Sequence, residues 1–131
     1  MTAADQALTR PPAAADRYHP LSVAVPGGQL YAGVWDPAPG VEPAGTLLAI
    51  HGITANHLAW QWLAVALPGW RVIAPDLRGR GRSIDLPPPY GLVTHTEDLA
   101  DLLGEAGVKE PVPVIGHSMG GFGTWWLGQK H

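Results

Sequence analysis

The sequence contains no cysteine and no long apolar run, and these two absences exclude several classes of protein. Without cysteine the chain can form no disulfide, no thiolate nucleophile and no thiolate metal site, which agrees with a reducing compartment. No segment reaches the stretch of about 18 apolar residues that spans a bilayer, and the N-terminal region lacks the apolar core of a secretory signal. We therefore predict a cytoplasmic protein with no membrane partner.

Basic residues are also scarce, which argues against a nucleic-acid partner. The chain has 8 Lys and Arg against 11 Asp and Glu, giving a formal net charge of −3. Binding to phosphates requires a basic excess, which is absent. The histidines show no pair at metal-ligand spacing supported by a carboxylate. We predict neither a metal site nor a cofactor.

A regular order of strand-like and helix-like segments follows a start rich in Ala and Pro. Residues 1–19 predict a flexible arm and residues 20–131 a single domain. Two strand-like runs around Pro26-Gly27-Gly28 predict a β-hairpin, and continuous apolar runs further on predict strands buried on both faces. The predicted strands cover residues 21–25, 29–35, 46–50, 70–74 and 112–115.

The first predicted helix lies in residues 57–67. Its apolar residues Leu58, Trp62, Val65 and Ala66 recur at helical spacing, so we predict that they form the buried face. With two further helices, the order is a β-hairpin followed by β-α-β-α-β-α. Strands that alternate with helices predict an α/β fold with a mostly parallel sheet.

The second helix is predicted to begin at a capping box formed by Thr94 and Glu97. Its leucines and alanines form an inward stripe, and its acidic residues, including Asp98, lie on the opposite face. Gly107 is placed to end it. The third helix begins near Met119 and continues to the last residue.

The segment Gly116-His117-Ser118-Met119-Gly120 matches the pattern G-x-S-x-G between a predicted strand and a predicted helix. A sharp strand-to-helix turn brings two backbones close together, so the residues two before and two after the serine must be small. The turn presents the serine hydroxyl above the sheet edge, where the first N–H groups of the helix also point. The pattern therefore predicts that Ser118 is a nucleophile.

Together with two other motifs, this turn resembles the nucleophile elbow of the α/β-hydrolase superfamily, and the resemblance covers residues 20–131. His51-Gly52-Ile53 follows the first parallel strand, where the family has its oxyanion loop, and residues 76–83 (DLRGRGRS) resemble the family's D-x-R-G-x-G-x-S turn. The resemblance implies the N-terminal half of an α/β-hydrolase fold. It also implies that Ser118 attacks an acyl carbon and that the backbone N–H groups of Ile53 and Met119 form the oxyanion hole.

The family's catalytic acid and base are expected after the nucleophile, in the order Ser, Asp or Glu, His. The 13 residues after Ser118 contain no Asp or Glu, and their one histidine, His131, lies about three helical turns along the last helix. No triad acid or base is therefore assigned in this chain. We expect a chain truncated in the helix after the elbow, a fragment with little or no activity alone.

Other polar residues beside these motifs have a structural interpretation as well as a functional one. His51 either braces the oxyanion loop or contacts substrate, and His117 is predicted to pack away from the nucleophile. Asp76 is predicted to shape its turn rather than to act as an acid. The arginines of that turn are predicted to be solvated; they are Arg78, Arg80 and Arg82.

The leading hypothesis is a serine hydrolase that acts on a small-molecule ester, thioester or related acyl substrate. A serine at the elbow favours acyl transfer, because epoxide hydrolases of the superfamily attack with aspartate. One alternative, motivated by the missing acid and base, is a non-catalytic module that binds small molecules on the same scaffold. The other is lyase, transferase or cofactor-free haloperoxidase chemistry at the same elbow.

Overall fold

Most of the predicted apolar runs form one five-stranded sheet. The computed structural model describes residues 14–52 and 55–117, and within them no helix is long and apolar enough to cross a bilayer. The helices are α1 (Ala14–Arg17), α2 (Gln61–Ala66) and α3 (Leu92–Glu105), with 3-10 turns at His57–Trp60 and Gly81–Ser83. The strands are β1 (Tyr18–Val25), β2 (Gly28–Trp35), β3 (Gly45–Ile50), β4 (Trp70–Pro75) and β5 (Val114–Gly116).

The strands lie in the order β1-β2-β4-β3-β5. β1 pairs antiparallel with β2, and β2 pairs antiparallel with β4, whereas β3 is parallel to both of its neighbours, β4 and β5. The α/β class and the predicted hairpin followed by parallel units are therefore confirmed. The third predicted helix, from Met119 onward, lies outside the described residues.

The central strands are buried on both faces, which explains their continuous apolar sequence. Alternate residues of a strand point to opposite faces of the sheet. Leu48 and Ile50 of β3 belong to one core cluster, together with Leu99 and Leu102 of α3. The cluster on the other face contains Trp35, Leu47, Ala49, Trp60, Leu63, Ala64, Val72 and Ala74.

The boundary of the predicted N-terminal arm lies earlier than expected. Residues 14–19, which were assigned to the arm, form α1 and the beginning of β1. Arg17 is buried there and donates hydrogen bonds to the carbonyl oxygens of Asp36 (2.6 Å), Ala64 (2.7 Å) and Trp70 (3.3 Å). These bonds fasten α1 to the sheet and to α2. Residues 1–13 lie outside the described part of the chain.

The predicted buried face of the first long helical segment is wrong. Leu58, Trp62 and Val65 are 56%, 61% and 60% exposed, and the buried side chains belong instead to His57, Trp60, Leu63 and Ala64. Apolar residues occur all around this segment, so spacing alone does not select one face. His57, at the start of the segment, is itself buried and bonds to Asp76, a contact that residue spacing does not reveal.

The start predicted for α3 is also wrong, while its end is as predicted. The helix begins at Leu92 after Gly91, so Thr94 lies inside the first turn and does not form the predicted capping box. At the other end, Gly107 has φ +76° and its N–H bonds to the Gly104 carbonyl (3.1 Å), while Val108 bonds to Leu103 (2.9 Å). This pair of bonds is a Schellman motif.

The arginine at position 78 is not solvated as predicted but buried against α3. Its guanidinium forms two parallel bonds to the Asp98 carboxylate, both 2.9 Å long, and donates to the carbonyl oxygens of Pro26 (2.8 Å) and Pro87 (3.0 Å). Asp98, predicted to face solvent, is 1% exposed. The hydrogen bonds that Arg78 donates to Asp98 raise the pKa of Arg78 and keep its guanidinium charged. Of the other two arginines that were predicted to be solvated, Arg82 is exposed as predicted, whereas Arg80 is half-buried.

Strand β5 lies at one edge of the sheet among the described residues. It was predicted at residues 112–115 as a strand buried on both faces, and it forms at Val114–Gly116 with only β3 beside it in the described part of the chain. Ile115 is 40% exposed. The strand is confirmed, but its predicted burial is not seen.

We expect Asp98→Asn to lower the free energy of unfolding by about 3–5 kcal/mol, because it leaves the charge of Arg78 buried and unpaired. Urea denaturation measures the change. The matched control is Asp101→Asn, which replaces an exposed carboxylate of the same helix and should stay within about 0.5 kcal/mol of the parent. Equal losses in the two variants would contradict the role of the ion pair.

Candidate functional site

The carboxyl ends of β3 and β5 meet at one point of the sheet. Ile50, the last residue of β3, pairs with Gly116, the last residue of β5, and the N–H of His117 donates to the Ile50 carbonyl at 3.1 Å. The chain runs from β3 to β4 on one side and crosses back to β5 on the other. In open α/β sheets such a switch point opens a crevice where ligands bind.

The two predicted catalytic segments leave the sheet at this crevice. His51-Gly52 continues from β3, and Gly116-His117 leads out of β5. His117 is exposed, in contrast to the predicted packing. Ser118, Met119, Gly120 and Ile53, the predicted nucleophile, oxyanion donors and second elbow glycine, lie outside the described residues.

His51 is fully buried, and both of its ring nitrogens bond to backbone groups. Nδ1 contacts the Gly52 carbonyl, and Nε2 accepts the N–H of Leu77 at 2.9 Å. A nitrogen that accepts an N–H carries no proton, so the ring is neutral with its hydrogen on Nδ1. Burial lowers the pKa of His51 and favours the same form. Of the two predicted interpretations, these contacts favour the brace over the substrate contact.

Asp76, at the end of β4, is fully buried and accepts three hydrogen bonds. Oδ1 accepts from the backbone N–H (2.6 Å) and from Nδ1 (2.8 Å) of His57, and Oδ2 accepts from the backbone N–H of Arg82 (2.9 Å). Burial alone would raise the pKa of Asp76, but these bonds outweigh it and hold the pKa below the usual value. The carboxylate is therefore an ionised acceptor that shapes the turn, as its motif indicates.

The rest of the turn after β4 is fitted around this carboxylate. Gly81 has φ +51°, and a Cβ there would lie 2.5 Å from the Asp76 Cγ, so no larger residue fits. Ser83 is buried, and its hydroxyl accepts the Tyr31 N–H at 2.9 Å. These contacts connect the turn to the hairpin strand β2.

Two buried histidines of this region were not recognised from the sequence as parts of the site. His57 belongs to none of the sequence motifs, and nothing in the sequence pattern points to its bond with Asp76, 19 residues away. His95 lies near the start of α3 and is only 2% exposed. Burial, followed by the nearby charge of Arg80, lowers the pKa of His95.

Comparison with known proteins agrees with this geometry. Residues 45–131 match the family model described as alpha/beta hydrolase fold. The chain is 43% identical over 75 residues to lipase LipV of Mycobacterium tuberculosis, which covers 57% of this chain and 28% of the lipase. It is 42% identical over 74 residues to the non-heme chloroperoxidase CPO-A1 of Kitasatospora aureofaciens, covering 55% of this chain and 26% of that protein. The matched region therefore spans only about a quarter of these curated relatives.

The crystal structure of an alpha/beta hydrolase from Novosphingobium aromaticivorans superposes with a TM-score of 0.72 at 30% sequence identity. The superposition covers 86% of this chain and 40% of that one.

We expect the free energy of unfolding to fall as the pH is lowered from about 7.5 to about 5. His51 and His95 have lowered pKa values in the folded chain, so the unfolded chain binds more protons once the pH passes below the ordinary histidine value of 6.5. Urea denaturation at a series of pH values measures the slope. His95→Leu should flatten the dependence because it removes one of the two groups. An unchanged slope in this variant would contradict the assignment.

Proposed function

This chain belongs to the alpha/beta hydrolase fold family, and on that premise we propose that the protein is a serine hydrolase acting on a small-molecule ester, thioester or related acyl compound. Ser118 is the nucleophile of this proposal. One observation carries it: the bond between His117 and Ile50 sets the start of the elbow beside the end of β3, from which the oxyanion loop departs. A nucleophile and an oxyanion hole have to converge on one acyl group, and adjacent strand ends allow this.

The proposed reaction begins with attack of the Ser118 Oγ on the acyl carbon. The carbonyl oxygen becomes an oxyanion, which accepts hydrogen bonds from the backbone N–H groups of Ile53 and Met119. The serine proton passes through a general base to the leaving alcohol or thiol, and an acyl-enzyme forms. Water then attacks the acyl-enzyme, releasing the acid and restoring the serine.

The general base of this proposal is none of the three buried histidines of the described residues. His51 and His57 have both ring nitrogens engaged, and the side chain of His95, a residue of α3, is buried. Because the lipase match covers only 28% of that relative, we assign the base and its carboxylate partner to parts of the protein outside this chain. The described residues contribute support: neutral His51 and ionised Asp76 hold the ends of the loop after β3.

The relative named as a non-heme chloroperoxidase favours a second candidate, cofactor-free haloperoxidase chemistry at the same elbow. The two candidates differ in their products. A hydrolase releases an acid and an alcohol or thiol from an ester or thioester, whereas a haloperoxidase uses peroxide to oxidise halide, and the oxidised halogen is then added to an organic substrate. Product analysis with the full-length protein separates them.

The test of the nucleophile is labelling of the full-length protein by a fluorophosphonate probe, which reacts with activated serines. We expect Ser118→Ala to reduce labelling to background. The matched control is Ser22→Ala, which replaces an exposed serine of β1 and should leave labelling unchanged. Undiminished labelling of the Ser118→Ala protein would contradict the proposed function. Absent labelling of the parent, with small-molecule binding retained, would favour the non-catalytic binding module.

A further inference from the structure

The loop that follows β3 is fastened at both ends to two consecutive residues. At its start, Nε2 of His51 accepts the backbone N–H of Leu77 (2.9 Å). At its end, the backbone N–H and Nδ1 of His57 both bond to Oδ1 of Asp76, at 2.6 and 2.8 Å. The Ala55 N–H also donates to the Gly52 carbonyl at 3.1 Å. The described residues at both ends of the loop are therefore held against the end of β4.

The ring of His57 is fixed in a slot on the sheet. Its Nε2 lies 3.0 Å from the hydroxyl of Tyr18, and the two rings stack at a centroid distance of 5.9 Å with an interplanar angle of 12°. The ring of Trp35 lies on another side, with its centroid 6.2 Å from the centroid of the His57 ring. A Cβ at Gly33 would lie 2.5 Å from the ring's Cδ2, so only glycine leaves room beneath it. The side chain is 7% exposed.

The hydrogen bonds of His57 form a continuous chain. Ionised Asp76 can only accept, so Nδ1 carries a proton and donates it to the carboxylate, while Nε2 and the Tyr18 hydroxyl share a hydrogen bond. Because one carboxylate oxygen holds both the backbone and the ring of residue 57, it fixes the position and the rotation of that residue together. The start of a helix does not require this pair of hydrogen bonds. Asn56 already caps the following 3-10 turn by accepting the Leu58 N–H at 2.9 Å.

We propose that His57 is a positioning residue for the reaction proposed above, and the inference rests on that function. The Tyr18–His57–Asp76 chain holds the end of the loop, residues 55–57, in place, and through it supports the backbone donor proposed for the oxyanion. An oxyanion donor acts only when it is held in place before the reaction, and a displacement of about 1 Å can cost about 100-fold in rate. The histidine itself touches no substrate.

The experiment uses the full-length protein and compares His57→Leu with His57→Asn, since an asparagine amide can replace Nδ1–H as donor to Asp76. For His57→Leu we expect a kcat about 10- to 100-fold lower with KM changed less than about 3-fold. Amide exchange of Gly52, Ala55 and Asn56 should become at least about 10-fold faster. His57→Asn should restore much of the kcat and much of the protection of the loop amides from exchange. The matched control is His19→Asn, which replaces an exposed histidine of β1 and should change neither.

Several outcomes would overturn the proposal. A lower unfolding midpoint with unchanged kcat and unchanged loop exchange in folded His57→Leu would leave only a stabilising role. Failure of His57→Asn to recover kcat or loop protection would show that the bond to Asp76 does not position the loop. If His57→Leu does not fold, Tyr18→Phe, which removes only the hydroxyl, should still show faster loop exchange.

The exchange measurement also separates this proposal from the proposed function. Unchanged labelling of Ser118→Ala would contradict the proposed function. Faster loop exchange in His57→Leu would still support the positioning role of His57. If Ser118→Ala loses labelling while His57→Leu keeps the kcat and the loop exchange of the parent, only the positioning role of His57 is contradicted.

Discussion

The Asp76 carboxylate lies fully buried at the carboxyl end of β4 and accepts hydrogen bonds from three N–H groups, two of His57 and one of Arg82. A buried charge is tolerated only when hydrogen bonds replace the water it has lost. Here the replacement groups belong to the segment after β3 and to the turn after β4, so solvation of one anion requires both segments to approach it. The geometry of the crevice beside β3 follows from this requirement.

The turn at residues 76–83 joins three parts of the fold through different bonds. Leu77 and Asp76 hold the segment after β3, Ser83 holds β2 through the Tyr31 N–H, and Arg78 reaches α3 through Asp98. Almost all of these bonds lie in the interior, where water does not compete with them. The structure thus gives three motif residues a structural role, because the buried side chains of Asp76, Arg78 and Ser83 connect elements of the fold.

The strand framework could be predicted from the sequence because burial on both faces leaves a continuous apolar run, as in β3 and β4. The faces of the helices could be predicted less well. Periodicity assumes that charged residues point outward, and Asp98 breaks this rule because its partner Arg78 comes from a distant turn. Periodicity also fails around Trp60 and Trp62, where apolar residues occur on every side. His57 carries no pattern at all, because its role depends on a carboxylate that only the fold brings near.

Gly33 has a consequence that extends beyond this chain. The missing side chain at that position is what admits an imidazole over β2, since any Cβ there would collide with the ring of His57. We therefore expect the residues at these two positions to change together in evolution. Relatives with alanine or a larger residue at the position of Gly33 should carry a small residue in place of the histidine, and relatives that keep the histidine should keep the glycine. A family-wide alignment would show this pair changing together.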